Sequence, residues 1–103
     1  MYTFIETRLF TNLVGRYLSD EEYAELQFQL AGNPEQGALV QGTGGVRKLR
    51  WGQPGRGKRG GIRVIYYARL HTGAIWMLTI YAKNEAENIA PHILRRIKEE
   101  IDG

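Results

Sequence analysis

The stretch IRVIYYARLHTGAIWMLTIYAK, residues 62–83, decides the fold. It holds two β-branched and aromatic runs, Ile62–Leu70 and Ala74–Lys83, divided by His71-Thr72-Gly73. A glycine able to take positive φ between two such runs signals a hairpin. Alternation along the first run puts Arg63, Ile65, Tyr67 and Arg69 on one face, with Ile62, Val64, Tyr66 and Ala68 on the other. A three-residue turn pairs Arg63 with Tyr81 and brings Lys83 next on the same face; a two-residue turn would shift the register and separate them. Core packing with a hydrogen-bonded hydroxyl is the ordinary expectation for at least two of Tyr66, Tyr67 and Tyr81.

Outward from this hairpin the periodicity changes twice. Val46–Trp51 reads as a strand with Val46, Lys48 and Arg50 on one face and Arg47, Leu49 and Trp51 on the other. Glycine-rich segments flank it, Gly42–Gly45 before and Gln53–Gly61 after. Nearer the N-terminus, Tyr2–Ile5 is β-prone, and Leu9, Phe10, Leu13, Val14 and Tyr17 recur at helical spacing. Ser19-Asp20-Glu21-Glu22 matches a capping box that opens a second helix carrying Tyr23, Leu26, Gln27 and Leu30, which Gly32-Asn33-Pro34 ends. After the hairpin, Ile89, Ile93, Leu94, Ile97 and Ile101 form one stripe of a helix spanning Glu85–Ile101. The predicted order is β-α-α-β-β-β-α. It describes one α+β domain over residues 1–103: a small, mostly antiparallel sheet, an N-terminal helical hairpin and a C-terminal helix, with the helices on one face.

A chain of 103 residues can bury one core, and 43% apolar with 24% charged residues is ordinary for a globular protein. The absence of cysteine excludes disulfides and thiolate metal sites. No signal-peptide pattern stands at the start and no apolar segment nears the roughly 20 residues that span a bilayer, so a cytoplasmic protein with no membrane partner is expected.

Charge is unevenly spread. The net charge is only +3, yet Arg47, Lys48, Arg50, Arg56, Lys58, Arg59 and Arg63 fall within seventeen residues that contain no acid. That is half of the 14 basic residues; the remainder of the chain is slightly acidic. These cations lie on one strand, the following loop and the next strand, so a hairpin makes them converge. Glycines at 55, 57, 60 and 61 let backbone N–H groups approach an anion. A polyanion touching one patch is the implied partner, and Lys and Arg on phosphates are the usual footprint of nucleic-acid binding. His71 and His92 have no ligand spacing, and Asp and Glu cluster in the helices, so no two-metal carboxylate site is visible. Any nuclease chemistry must come from cationic side chains.

Four stretches, YLSDEEYAELQFQL (17–30), GALVQGTGGVRKLRW (37–51), GKRGGIRVIYY (57–67) and LTIYAKNE (78–85), resemble in order the HigB branch of the RelE toxin superfamily. These are toxins of type II toxin–antitoxin modules. The resemblance implies a RelE-like fold and a ribosome-dependent, metal- and cofactor-free mRNA endonuclease. It implies cleavage in the ribosomal A site with the RNA's own 2′-hydroxyl as nucleophile. It also implies a co-encoded antitoxin with a helix-turn-helix domain, of the HigA type. On this resemblance Arg63 carries transition-state charge, Lys48 and Lys83 are the basic positions on the neighbouring strands, and Arg56, Lys58 and Arg59, with Arg47 and Arg50, hold mRNA or rRNA phosphates. The RelE branch has a catalytic tyrosine in its last helix, which residues 85–101 lack. The proton acceptor is therefore Tyr81, or Lys83 with a depressed pKa. Two other readings of the same residues are a ParE-like gyrase poison and an RNA-binding module without chemistry.

Overall fold

The structure, a computed structural model, describes residues 1–52, 61–85 and 89–103. Its elements are β1 (Thr3–Glu6), α1 (Arg8–Tyr17), α2 (Asp20–Gly32), β2 (Ala38–Leu39), β3 (Val46–Trp51), β4 (Ile62–Arg69), β5 (Ala74–Ala82) and α3 (Pro91–Asp102). The five strands form one sheet in the order β1-β5-β4-β3-β2. β1 runs parallel to β5, and the other three pairs are antiparallel. The expected α+β architecture is the observed one.

Local chemistry explains where the helices begin. The Thr7 hydroxyl caps α1 by accepting from the Phe10 N–H, and Ser19 and Glu22 form the reciprocal capping box of α2. Asp20, Glu21 and Glu22 in the first turn of α2 match the positive end of its dipole. α3 starts at Pro91, six residues after the expected start at Glu85. A proline at the first helical position has its φ pre-set and needs no N–H partner.

The helices divide between the two faces of the sheet, which corrects the expectation of a single covered face. Phe10, Leu18, Leu26 and Leu30 of the N-terminal hairpin pack with Leu49, Trp51, Val64, Tyr66, Ile75, Met77 and Ile80. On the opposite face Leu94 packs with Val46, Ile65, Tyr67 and Leu78, joined by Ile97 and Ile101. β4 and β5 are thus sandwiched, as their nearly continuous burial shows. The apolar faces read from the alternation of β3 and β4 are the ones that pack.

Two further departures concern register. The β4–β5 connection is four residues long, since Arg69 pairs with Ala74 across a 3₁₀ turn closed by Gly73 at φ 71°. That alone would misalign Arg63 and Tyr81. A β-bulge restores the pairing: Tyr66 opposes Met77 while Ile65 opposes Thr79, which leaves Leu78 as the extra residue. The Leu78 carbonyl accepts from the Thr7 hydroxyl at 2.7 Å, so the bulge is held by the residue that also caps α1. The short edge strand β2 was not expected; it pairs Ala38 with Lys48 and Leu39 with Arg47.

The C-terminal end of α3 is pinned to the sheet by one carboxylate. Asp102 lies 2.7 Å from Lys98 Nζ and 3.1 Å from Arg69 Nε, and accepts from the Tyr67 hydroxyl at 3.0 Å. Lys98 also stands over the Tyr67 ring, 5.6 Å from its centroid.

Candidate nucleic-acid site

At the opposite end of the same face, beyond the first turn of α3, the strands carry cations in adjacent register. Arg50 of β3 stands directly opposite Arg63 of β4, and Arg63 directly opposite Tyr81 of β5. Lys48 lies one step inward opposite Ile65. Lys83 follows the last residue of β5 and extends the ladder, its N–H donating to the Gly61 carbonyl at 2.8 Å. Like charges placed directly across a sheet repel, so the Arg50–Arg63 pair is a local concentration of positive charge.

Lys48, Arg50, Arg63 and Lys83 line a cleft of about 780 Å³ whose far wall is Gln36–Ala38. Arg63 is only 8% exposed, so its stem is packed into the floor. Lys48 also reaches a smaller hollow of about 230 Å³ between the sheet and Pro91 and Leu94 of α3, which contains Tyr81. Burial holds the Tyr81 hydroxyl above its ordinary pKa, with Arg63 acting in the opposite direction. At neutral pH Tyr81 is therefore a proton or hydrogen-bond donor, which weighs against the expectation that it serves as base.

Arg47 is not brought to the cleft. It points to the other face, where its guanidinium donates to the carbonyls of Glu35 and Gly37 at 3.0 and 2.8 Å and approaches the Glu35 carboxylate at 3.5 Å. Tyr66, from the same face, donates to the Pro34 carbonyl at 2.7 Å and accepts from the Gly37 N–H at 2.9 Å. Together they hold the cleft wall. Gly37 is required there: a Cβ at this position would stand 2.9 Å from the Tyr66 ring and hydroxyl. Nothing in the spacing of residues 34–37 announces that role, because it depends on two residues from strands that follow. Arg56, Lys58 and Arg59 lie outside the described residues. Among the described residues, no group of three or more His, Asp or Glu side chains could hold a metal ion.

Comparisons with known proteins agree with this architecture. The sequence model of the family described as "RelE toxin of RelE / RelB toxin-antitoxin system" matches residues 10–101. Among solved structures, the isolated E. coli RelE toxin in its P21 crystal form aligns with a TM-score of 0.59, covering 98% of this chain and 99% of that one. At 14% identity this likeness speaks for the fold alone. The family match spans nearly the whole chain, and the protein belongs to the RelE toxin family, the translation-inhibiting toxins of toxin–antitoxin modules.

Proposed function

We propose that this protein is a HigB-type member of the family, a ribosome-dependent endoribonuclease that cuts mRNA in the A site without a metal or cofactor. The carrying observation is that Lys48, Arg50, Arg63 and Lys83 line one open cleft, with Tyr81 directly opposite Arg63 in the adjoining hollow that Lys48 also lines. In the reaction the RNA 2′-oxygen bonds to the adjacent phosphorus while its proton passes to water. The phosphorus–O5′ bond breaks and O5′ takes a proton from the Tyr81 hydroxyl, which water restores, leaving a cyclic 2′,3′-phosphate and a 5′-hydroxyl. Charge builds on the non-bridging oxygens, and a guanidinium fixed in the cleft floor meets it without reorganising. Arg63 takes that role. Lys48 and Lys83 hold the scissile phosphate from either side, Arg50 and the loop cations Arg56, Lys58 and Arg59 hold neighbouring phosphates, and Tyr81 donates its hydroxyl proton.

The protein acts in the cytoplasm, and a HigA-type antitoxin with a helix-turn-helix domain restrains it. The test is cleavage of a defined mRNA on ribosomes with a filled P site and an empty A site. The expected outcome is a cut within the A-site codon, with those two end groups and no cut in naked RNA. Equal cleavage of naked RNA, or no cleavage at all, overturns the proposal. Inhibition of DNA gyrase supercoiling in place of cleavage would support the ParE-like reading.

A further inference from the structure

Among the described residues lining the cleft, Lys83 is the cation that lies beyond the end of its strand, held to the sheet by its N–H on the Gly61 carbonyl and followed at once by a turn. The turn Ala82–Glu85 is closed at the backbone, with the Glu85 N–H donating to the Ala82 carbonyl at 3.0 Å. The side chain of Glu85 then folds back over the same turn. Its Oε1 accepts from the Ala82 N–H at 3.2 Å and from the Tyr17 hydroxyl at 2.5 Å. Tyr17 is the last residue of α1, so this contact ties the N-terminal helix to the turn that carries Lys83 across 68 positions of sequence.

We infer that Glu85 and Tyr17 are positioning residues: the carboxylate, clamped between the Ala82 N–H and the Tyr17 hydroxyl, sets the turn that aims Lys83 into the cleft. The inference rests on the cleft being catalytic and adds residues that nothing else assigns to it. Glu85 does not line the cleft, which separates it from the groups that would touch RNA. Its carboxyl is held below the usual carboxylate range, first by the Tyr17 hydrogen bond and then by the Ala82 N–H. A carboxylate so stabilised is a poor proton acceptor, which fits a clamp and not a base. Tyr17 is correspondingly raised, chiefly by the same hydrogen bond.

The chemistry of the clamp needs an oxygen that accepts two hydrogen bonds, not a negative charge. Glu85→Gln keeps such an oxygen, Glu85→Ala removes it, and Tyr17→Phe removes one of its donors. The experiment is single-turnover cleavage of mRNA on programmed ribosomes at saturating toxin, with ribosome affinity and the thermal midpoint measured on the same variants. Glu85→Ala and Tyr17→Phe should each slow cleavage by about 10–100-fold, the scale of an ångström-level misplacement of a reacting group. Affinity should stay within about twofold, and Glu85→Gln should retain a rate within about threefold of the parent.

Equal loss in Glu85→Gln and Glu85→Ala overturns the clamp, since it makes the carboxylate itself part of the chemistry. Parent-like rates in both Glu85→Ala and Tyr17→Phe, with Lys83→Ala slow, also overturn it while leaving the cleft assignment intact. A parent-like rate in Lys83→Ala removes the cleft assignment and the clamp together. Should Glu85→Ala fail to fold, Tyr17→Phe decides, because it leaves the Ala82–Glu85 turn closed.

Discussion

Arg63 and Arg69 stand on the same strand and the same face, six positions apart, and do opposite things. At the Arg69 end, α3 delivers Asp102, which gathers Arg69, Lys98 and the Tyr67 hydroxyl around one carboxylate. At the Arg63 end, α3 has not yet begun, and the cross-strand neighbour is a second arginine, Arg50. Lys48 and Lys83 stand at the same cleft. One end is organised around an anion supplied by the chain itself. The other brings Lys48, Arg50, Arg63 and Lys83 to one open cleft, and the position of a single helix on the sheet distinguishes the two ends.

The sharpest way to break this contrast is to neutralise each arginine in turn. Arg63→Gln keeps much of the buried stem and removes the charge, so we expect mRNA cleavage to fall by about 10²–10³-fold. The fold should persist, because much of the buried stem is kept and the repulsion from Arg50 goes with the charge. Arg69→Gln should do the reverse, lowering the midpoint while cleavage stays within about twofold, since Arg69 lies at the far end of the face. Single-turnover cleavage and thermal unfolding on both variants check the pair. A fully active Arg63→Gln would remove the functional half of the comparison.

How much of this could be read from the chain depends on the range of the interaction. The faces of β3 and β4 follow from alternation, and the capping box of α2 follows from Ser19 and Glu22, because both are set within a few residues. The meeting of Arg63 with Tyr81 was expected from a three-residue turn. It occurs by another route, a four-residue turn offset by a bulge at Leu78. No glycine or proline marks that bulge; it is held by Thr7, 71 positions away. β2 is two residues of edge strand whose neighbouring loop is fixed by Arg47 and Tyr66, so it has no periodicity to read. The start of α3 was legible at Pro91, but the apolar stripe beginning at Ile89 masked it. Which face α3 covers is not written in any local pattern, and that placement is what separates the two ends. The roles given to Lys48, Arg63 and Lys83 rest on their convergence in the cleft, that of Tyr81 on its place opposite Arg63, and all four on the HigB-like motifs.

The Asp102 end can be broken by pH as well as by substitution. Its carboxyl is held below the usual range, first by the Lys98 hydrogen bond, with Tyr67 and the charges of Lys98 and Arg69 in the same direction and burial opposing. A carboxylate whose folded pKa is depressed stabilises the fold fully above its unfolded pKa of about 3.9. That stability is lost as pH falls through the folded value. Asp102→Asn should therefore cost about 1–2 kcal/mol near neutral pH, or roughly 5–15 °C in midpoint for a domain of this size. The gap between parent and variant should close below about pH 4 as the parent's own carboxyl protonates. Thermal melts from pH 3 to pH 8 measure it, and a gap that is constant with pH would mean that the contact works by packing and not by charge.

The smallest expected effect is at Arg50, which shares the register of Arg63 but is exposed where Arg63 is buried. An exposed guanidinium on a strand keeps its hydration and meets phosphate as a screened surface charge, so its contribution is to affinity and depends on salt. Arg50→Gln should weaken ribosome binding only a few-fold near 0.1 M salt and lower the slope of log affinity against log salt by about one. Stability should rise by a few tenths of a kcal/mol, because the charge facing Arg63 is gone. Ribosome binding measured across a salt series, beside the thermal midpoint, separates these effects. If Arg50→Gln instead lowers the rate at saturation as far as Arg63→Gln does, then burial does not distinguish the two arginines, and the reacting phosphate lies between β3 and β4, away from β5.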